Sequence, residues 1–420
     1  MELAYLDNAA SEPLRPQALA AMNEAAASLA GIGANPSSAH AAGRKAAALL
    51  ETARAQVARA LGAEPAEVIF TGGGTDSCAL ALRGLARAAR RQDSRRTQIA
   101  VSQVEHDAVG HNARDLQNAG FQVQVLPVDS GGVVDLEAVA ALDTSQLAGV
   151  SVMSVCNENG VVQPVAEICR RLREKAAADM RDAPGDKAAA GKGTGSGSDS
   201  QFAIHTDAIA AAGRQEINFA GSPVDAISLA CHKVGGPAAL GVLLARREVK
   251  IASDRLGGGQ ERALRAGTQD VIAAVGAAAA FAAAQQELAE ATRRHQDLRE
   301  KLLQGALKIP GVKLASNAPA VPGIIQFALQ GAEAEGLLFA LDQAGVCASA
   351  GSACHTGVAR PSPVLLAQGY SEQDALGSLR ISFGWSTREK DVDRLLQALP
   401  SALSASRKLA ERERLSLIHI

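Results

Sequence analysis

The sequence has few aromatic residues, few cysteines and no excess of charge of either sign. Aromatic residues make up 3% of the 420 residues, with one tryptophan, Trp385, so we expect no platform for stacking nucleic-acid bases. The 42 basic and 44 acidic residues give a net charge of −2, which leaves no basic footprint for nucleic acid. The six cysteines show neither the density of a disulfide framework nor the paired spacing of a zinc site. We therefore expect a cytoplasmic protein, in which a functional cysteine would act as a thiolate.

Long hydrophobic runs are also missing. The most apolar stretch, 271–284, is rich in alanine and is shorter than the ~20 residues that a bilayer-spanning helix needs. The N-terminal segment MELAYLDNAASEPL lacks the basic and apolar regions of a signal peptide. We therefore expect no contact with a membrane. The length and the 47% hydrophobic content suit one large or two medium globular domains.

Apolar runs of strand length alternate with helical stretches through the first ~255 residues. Helices are predicted at 77–91 and 165–178. This alternation predicts an α/β fold with a mostly parallel sheet covered by helices on both faces. The predicted strands are VIF (68–70), IAVSQV (99–104), AGVSVMSV (148–155), FAIHT (202–206) and AISLA (226–230).

The pattern changes after residue 255, which divides the chain. We predict a large domain over 15–255 and a smaller α+β domain formed by 1–14 and 256–414. Residues 181–200 are rich in Gly, Ser, Asp and Lys, which predicts a flexible surface excursion because such a composition cannot bury a core. The last six residues, LSLIHI (415–420), do not continue the charged helix before them, and we interpret them as a non-native tail.

Polar residues follow several of the predicted strands. The carboxyl ends of parallel strands meet at one edge of a sheet, where ligands bind in such folds. We therefore expect these residues to lie together. They are TGGGTDS (71–77), Glu105 and His106, Cys156 to Glu158, Asp207, and Cys231 to Lys233.

Each of these residues has an ordinary alternative. The glycine-rich turn could cradle a phosphate at a helix N-terminus, but such turns are about as often purely structural. Lys233 could form a Schiff base, although most lysines are solvated. Asp207 could pair with the pyridine nitrogen of pyridoxal phosphate, although an aspartate at a strand end is more often a helix cap. Lys233 and Asp207 together are more informative than either residue alone.

The sequence resembles the cysteine desulfurases of the NifS/IscS type, within the class V aminotransferase group of fold-type I pyridoxal-phosphate enzymes. The resemblance covers nearly the whole chain, in family order, apart from the 181–200 insert and the tail. Its motifs are YLDNAAS (5–11), NPSSAHAAGR (35–44), EVIFTGGGTDS (67–77), EH (105–106), NENGVVQP (157–164), HTDAI (205–209), CHKVGGP (231–237), GGGQERALRAGT (257–268), ASAGSAC (348–354) and SLRISFG (378–384).

The resemblance implies a role for each matching residue around the cofactor, pyridoxal 5'-phosphate. Lys233 would carry the cofactor as a Schiff base and move protons, and Asp207 would pair with its pyridine nitrogen. His106 would stack on the ring and assist proton transfer. Asn157 would contact the cofactor's phenolic oxygen or the substrate carboxylate, and Arg380 would bind that carboxylate.

The resemblance also implies ligands for the phosphate group and a second subunit. Gly74, Thr75 and His232 would hold the phosphate. Thr268, in the family's RxGT element with Arg265, would reach toward the neighbouring subunit's site, which implies a homodimer.

Cys354 would be the nucleophile of the implied reaction. Its thiolate would attack the sulfur of L-cysteine, leaving a persulfide on the enzyme and releasing L-alanine. The persulfide sulfur would pass to an acceptor protein, such as an iron–sulfur scaffold or a tRNA-thiolation enzyme. The small, glycine-rich sequence around Cys354 predicts a mobile loop.

Two positions depart from the family pattern. Ala210 stands where many relatives have a glutamine, and Ala230 stands where many have a serine or threonine that binds the phosphate. Losing one hydrogen bond to a charged group costs ~1.5–3 kcal/mol, so each change would weaken the site. Two alternatives stay open. A selenocysteine lyase or another β-cleaving enzyme would use the same fold and cofactor sites, and the two alanines motivate an inactive dimeric scaffold for sulfur transfer.

Overall fold

A computed structural model describes residues 3–33, 35–182, 202–315, 318–351 and 360–418. The strands are β1 (Ala4–Tyr5), β2 (Val68–Thr71), β3 (Gln98–Ser102), β4 (Gln122–Leu126), β5 (Leu147–Ser151), β6 (Ala203–Asp207), β7 (Ala226–Ala230), β8 (Gly241–Ala245), β9 (Val312–Leu314), β10 (Ile324–Leu329), β11 (Val346–Cys347) and β12 (Ser378–Ser382). The helices are α1 (Pro16–Leu29), α2 (Ala41–Ala60), α3 (Gly74–Gln92), α4 (Asp107–Asn118), α5 (Leu136–Ala140), α6 (Val165–Asp182), α7 (Val271–Ala306), α8 (Ala334–Gln343), α9 (Pro363–Ala367), α10 (Glu372–Leu376) and α11 (Glu389–Ile418).

Seven of these strands form a central, mostly parallel sheet in the order β2-β8-β7-β6-β5-β3-β4. Neighbouring strands from β7 to β4 are parallel, whereas β8 is antiparallel to both β7 and β2. The strands β2, β3, β5, β7 and β8 are buried along their whole length, as expected for strands with helices on both faces. The predicted α/β class is confirmed.

Side chains alternate between the two faces of the sheet. On one face, Ile204, Ile227 and Leu229 join the largest apolar cluster with residues of α2, α6 and α7. On the other face, α3 packs against β5 to β8, and Ala226 and Leu243 join its leucines in a separate cluster. The sheet is therefore the middle layer of three.

A second apolar core lies around the antiparallel sheet β12-β10-β9 and the parallel pair β1-β11. Helix α7 contributes to both cores, with Val271 to Ala284 in the first cluster and Leu298 to Ala306 in the second. Because β1 pairs with β11, the N-terminal segment is joined to the C-terminal part of the chain. The domain boundaries given above stay predictions.

The sequence patterns located the strands better than they located their ends. The predicted strand 148–155 is wrong at its C-terminal end, because β5 ends at Ser151. Val152 and Ser154 still donate to carbonyls of β6, but the regular pairing with β3 stops. Likewise, the strand predicted at 99–104 ends at Ser102.

Two other predictions concern segments at the limits of the described chain. Helix α6 continues to Asp182, and the remainder of the predicted insert, from residue 183, lies outside the described residues. Helix α11 continues to Ile418, so the backbone of the suspected tail is helical up to that residue. The non-native origin of 415–420 stays a prediction.

Helix α7 is the one described helix long and apolar enough, by composition, to cross a bilayer. In the folded chain 56% of the most apolar 18-residue segment of α7 is buried, because its alanines pack against α1 and α2. Its composition is accounted for by its place between these helices.

Two helical glycines give a matched test of helix packing. A Cβ added at Gly84 in α3 would lie 2.5 Å from Ile251 Cγ2 and 3.0 Å from the Ala252 carbonyl oxygen. A Cβ at Gly110 in α4 would meet nothing within 4 Å. We expect Gly84→Ala to lower the free energy of unfolding by about 1–3 kcal/mol through overpacking.

Gly110→Ala is the control for this substitution. It should raise the free energy of unfolding by up to about 1 kcal/mol, because alanine is the better helix former. Urea denaturation of both variants measures the two effects. Equal changes of the same sign would show that α3 is not packed as described.

Candidate active site

Seven of the ten predicted site residues lie where β3, β5, β6 and β7 end and where α3 and α4 begin. Lys233 lies in a short 3-10 helix, Cys231–Val234, directly after β7. This turn ends at Gly235, which has a left-handed backbone (φ 72°). A Cβ at Gly235 would lie 2.6 Å from Arg15 Cγ, so glycine is required both for the conformation and for the close approach.

The Lys233 amine is held by the N-terminal segment. Its Nζ donates to the carbonyl oxygens of Ala9 (2.5 Å) and Ala10 (2.9 Å). Burial, followed by the charges of Arg380 and Arg214, lowers the pKa of Lys233 to about 8. The amine is therefore easier to deprotonate than an exposed lysine, as a nucleophilic or proton-transferring amine requires.

Asp207 is the last residue of β6 and is 3% exposed. Its Oδ1 accepts from the backbone N–H of Ile209 (2.9 Å), and its Oδ2 accepts from the Cys78 thiol (3.6 Å). Burial raises the pKa of Asp207, whereas the charges of His106 and Lys233 act in the opposite direction. The side chains of His106 and Lys233 thus lie near the Asp207 carboxylate. We refer to the region between these three residues as the cleft.

His106 and His232 border the cleft in different ways. His106 caps the N-terminus of α4, with its Nδ1 accepting from the Ala108 N–H (3.0 Å), and its side chain is exposed. The Nδ1 of His232 lies 3.3 Å from Ser11 Oγ. Burial and the charge of Lys233 lower the pKa of His232 to about 4, so this ring is neutral at physiological pH.

Arg380, on β12, connects the second core to the edge of the central sheet. Its guanidinium donates to Asp7 Oδ1 (2.8 Å) and to the carbonyl oxygen of Asn157 (3.1 Å). The residue is 5% exposed, and its Nε has no hydrogen-bond partner among the described residues. Asp7 was not among the residues predicted for the site, although it lies in the YLDNAAS motif.

The glycine-rich turn leads into α3 through Gly73, which has φ 130° and ψ 177°. The first N–H groups of a helix have no intrahelical partner and attract anions. A Cβ at Gly74 would lie 2.5 Å from Ile209 Cδ1 and 3.0 Å from the Ala230 Cβ. A side chain at this position would therefore force Ile209 to shift and would crowd Ala230, and Thr75 beside it is exposed.

The loop before α7 lies against the same end of α3. The charge of Asp76, in the first turn of α3, is offset by Arg255 (3.3 Å) and Arg265 (3.6 Å). Thr268 is exposed, and its contact with a second subunit stays a prediction. Cys354, the predicted nucleophile, lies outside the described residues.

Both departures from the family pattern are buried. Ala210 is 9% exposed and Ala230 is 1% exposed. Neither methyl group can replace the hydrogen bond expected of a glutamine or a hydroxyl side chain.

A cavity of about 370 Å³ lies on the face of the sheet that α3 does not cover, and none of the predicted site residues lines it. Its lining includes Gln163, Thr206, Gln215 and Ile227. The candidate site is thus the cleft at the carboxyl edge, and not this cavity.

Comparisons with known proteins agree with the resemblance seen in the sequence. The family model described as Aminotransferase class-V matches residues 4–184 and 198–395. An IscS-like cysteine desulfurase of Mycobacterium tuberculosis is 39% identical over 414 residues, which is 97% of this chain and 98% of that protein. The cysteine desulfurase IscS of Clostridium botulinum is 34% identical over 412 residues, covering 97% and 96% of the two chains.

A solved structure of a NifS-like protein has the same fold. It aligns with a TM-score of 0.83 and 30% sequence identity, over 96% of this chain and 100% of that chain. The resemblance to the NifS/IscS type is therefore confirmed.

Glu105 is a buried carboxyl group beside the site, and its protonation gives a test. Its Oε1 accepts from Ser102 Oγ (2.6 Å) and from the Met153 N–H (2.7 Å), and its Oε2 has no partner among the described residues. Burial is the main cause that raises the pKa of Glu105 from 4.5 to about 8. Between these values the folded state keeps a proton that the unfolded state has released, so the Glu105 contribution to stability falls as pH rises from 4.5 to 8.

We therefore expect Glu105→Gln to lose less stability than the parent protein between pH 5 and pH 8. The difference should approach about 1.4 kcal/mol per pH unit at most. Urea denaturation at pH 5, 6.5 and 8 measures it, with Glu24→Gln on the exposed face of α1 as the control. Parallel stability curves for the parent and Glu105→Gln would show that Glu105 is ionised in the folded protein.

Proposed function

The chain belongs to the class-V aminotransferase family, and from that premise we propose that it is a cysteine desulfurase dependent on pyridoxal 5'-phosphate. The observation that carries the proposal is the convergence of Lys233, Asp207, His106 and Arg380 on one cleft. The relatives named above are cysteine desulfurases. These names favour desulfuration over both the β-cleaving lyase and the inactive scaffold.

The residues of the cleft fit the cofactor. Lys233 offers an amine with a lowered pKa, and Asp207 offers a buried carboxylate near it. The N-terminus of α3 at Gly74 suits the phosphate, with Thr75 and His232 as its further ligands. When bound, pyridoxal phosphate supplies an electron sink that makes the bonds at the α-carbon of an amino acid labile.

The protein's own side chains would bind the substrate and move its protons. Arg380 would hold the carboxylate of L-cysteine, since its guanidinium is already fixed by Asp7 and Asn157. Lys233 would accept and return a proton, which an amine of pKa about 8 can do near neutral pH. His106, exposed toward the cleft, would take part in the same transfers.

Cys354 would receive the sulfur. In the overall reaction, the bond between Cβ and Sγ of L-cysteine breaks and a new S–S bond forms on Cys354. The carbon skeleton takes up a proton and leaves as L-alanine, and the sulfur stays as the enzyme persulfide. The reaction needs no external oxidant, because the carbon that loses sulfur is reduced while the sulfur is oxidised.

Further parts of the proposal rest on the family resemblance. The enzyme would be a cytoplasmic homodimer, with Arg265 and Thr268 reaching the partner's site. Its persulfide sulfur would pass to an acceptor protein for iron–sulfur cluster assembly or tRNA thiolation. The IscS names of the relatives support the first of these two uses.

The experiment compares the parent protein with Cys354→Ala and Lys233→Ala in the presence of pyridoxal phosphate, L-cysteine and a reductant. We expect the parent to form alanine and sulfide and both variants to lose alanine formation by at least about 100-fold, because covalent and acid–base groups contribute at this scale. Alanine is measured by chromatography and sulfide by a colorimetric assay. The control is Glu24→Gln, at an exposed position of α1 that has no role in the proposed reaction. Its rate of alanine formation should match that of the parent.

Two outcomes would change the proposal. Alanine formation that survives in Cys354→Ala would indicate a lyase that needs no enzyme persulfide. A folded, cofactor-loaded parent that forms no alanine would contradict the desulfurase proposal and favour the scaffold.

A further inference from the structure

A row of neutral polar side chains lies between the central sheet and α3 and ends on the Asp207 carboxylate. Ser151 Oγ lies 2.8 Å from His205 Nδ1, and His205 Nε2 lies 2.8 Å from Ser228 Oγ. The Ser228 hydroxyl lies close enough to the Cys78 thiol to lower its pKa as a donor would, and the thiol lies 3.6 Å from Asp207 Oδ2. Ser151, His205, Ser228 and Cys78 are each 0% exposed.

The strand register explains why these residues meet. Ser151 of β5 is paired with His205 of β6, and Asp207 of β6 is paired with Ser228 of β7. Since successive side chains on a strand alternate between faces, His205 and Asp207 point to the same face of the sheet. Helix α3 covers this face and brings Cys78 against them.

The hydrogen-bond chain has one consistent direction when Asp207 is ionised. A carboxylate only accepts, so the Cys78 S–H must donate to it. The Ser228 hydroxyl acts toward the sulfur as a donor, which leaves Ser228 Oγ to accept from His205. Burial lowers the pKa of His205 to about 3, so its ring is neutral and carries one proton, on Nε2. His205 Nδ1 then accepts from the Ser151 hydroxyl.

We propose that Cys78 and His205 are positioning residues whose one-way chain of donors holds the Asp207 carboxylate in the orientation that faces the cleft. The proposal rests on the proposed function in one respect, namely that Asp207 is the partner of the cofactor ring. In such chains each bond polarises the next, so the donors act together on Oδ2. Oδ1 has its own donor, the Ile209 N–H, and both oxygens are thereby fixed.

Other charged or titratable groups also face Asp207. His106, from the start of α4, and Lys233, from the turn after β7, favour its ionised form. Glu105, three residues after β3, is near enough that the charge of Asp207 contributes to its raised pKa. None of these three groups touches Oδ2 in the described chain. The thiol is therefore the donor that a substitution can remove without changing a charge in the cleft.

The first test compares Cys78→Ala, Cys78→Ser and Cys169→Ala, a control at another buried cysteine, on α6. Removing the thiol donor to the Asp207 carboxylate should weaken the affinity for pyridoxal phosphate about 2- to 10-fold in Cys78→Ala, because a thiol is a weak donor. Cys78→Ser keeps a donor and should stay within about twofold of the parent, as should Cys169→Ala. Absorbance titration of the cofactor-free protein measures the dissociation constants. Equal affinities in all the proteins, or an equal loss in Cys78→Ser and Cys78→Ala, would overturn the proposal.

The second test needs neither cofactor nor substrate. The S–H stretching band of Cys78, isolated as the infrared difference between the parent and Cys78→Ala, should lie at lower frequency than the same band in an Asp207→Asn background. A donor to a carboxylate is held more strongly than a donor to a neutral amide. An unchanged band would show that the thiol does not donate to Asp207.

The tautomer of His205 is the third readout. Spectra of protein labelled with ¹⁵N-histidine, with the signal assigned through His205→Gln, should show a neutral ring protonated on Nε2. A proton on Nδ1 would reverse the chain and overturn the proposal. The infrared and nitrogen readouts concern the protein alone, so they distinguish a failure of this proposal from a failure to bind the cofactor or to desulfurate cysteine.

Discussion

The burial of charge at the carboxyl edge of a parallel sheet is the constraint that shapes this protein. The residues at the carboxyl ends of parallel strands lie together at one edge of the sheet. In this protein Glu105, Asp207 and Lys233 lie at that edge. Removing these groups from water disfavours their charged forms, as the raised pKa values of the two acids and the lowered pKa of the lysine show. Each of them has at least one specific partner from a distant part of the chain, namely the Met153 N–H for Glu105, the Cys78 thiol for Asp207 and the Ala9 carbonyl for Lys233.

Arg380 shows how this constraint joins the two apolar cores. Its side chain belongs to the antiparallel sheet of the second core, yet it bonds to Asp7 near the N-terminus and to a carbonyl after β5. A buried guanidinium without such partners would cost several kcal/mol, on the order of the whole stability of a domain. The contacts that join the second core to the edge of the sheet thus also hold the Arg380 guanidinium in place.

The sequence was sufficient to predict the elements that carry the chemistry. The apolar run of β7 and the polar residues after it placed Lys233 correctly, because buried parallel strands read as short apolar runs. The strands β4 (QVQVL) and β8 (GVLLA) were not predicted, although the first alternates polar and apolar residues and the second is a short apolar run. The antiparallel direction of β8 could not have been predicted, because an apolar run does not encode strand direction. The contact between Asp7 and Arg380 joins residues 373 positions apart, and no local pattern specifies it. His205 could have been found, since it stands two residues before Asp207 and must share its face.

The contacts of Asp207 also bear on the two alanines that depart from the family pattern. The family resemblance assigns a partner at position 210 to the cofactor's phenolic oxygen and one at position 230 to its phosphate, and both are replaced by methyl groups here. Under the proposed function, the electron sink would depend instead on the ring nitrogen and therefore on Asp207. Asp207 keeps a donor on each oxygen and favourable charges from His106 and Lys233. Under the proposed function, the losses at Ala210 and Ala230 would therefore weaken cofactor binding, while the proposed partner of the ring nitrogen keeps its full set of contacts.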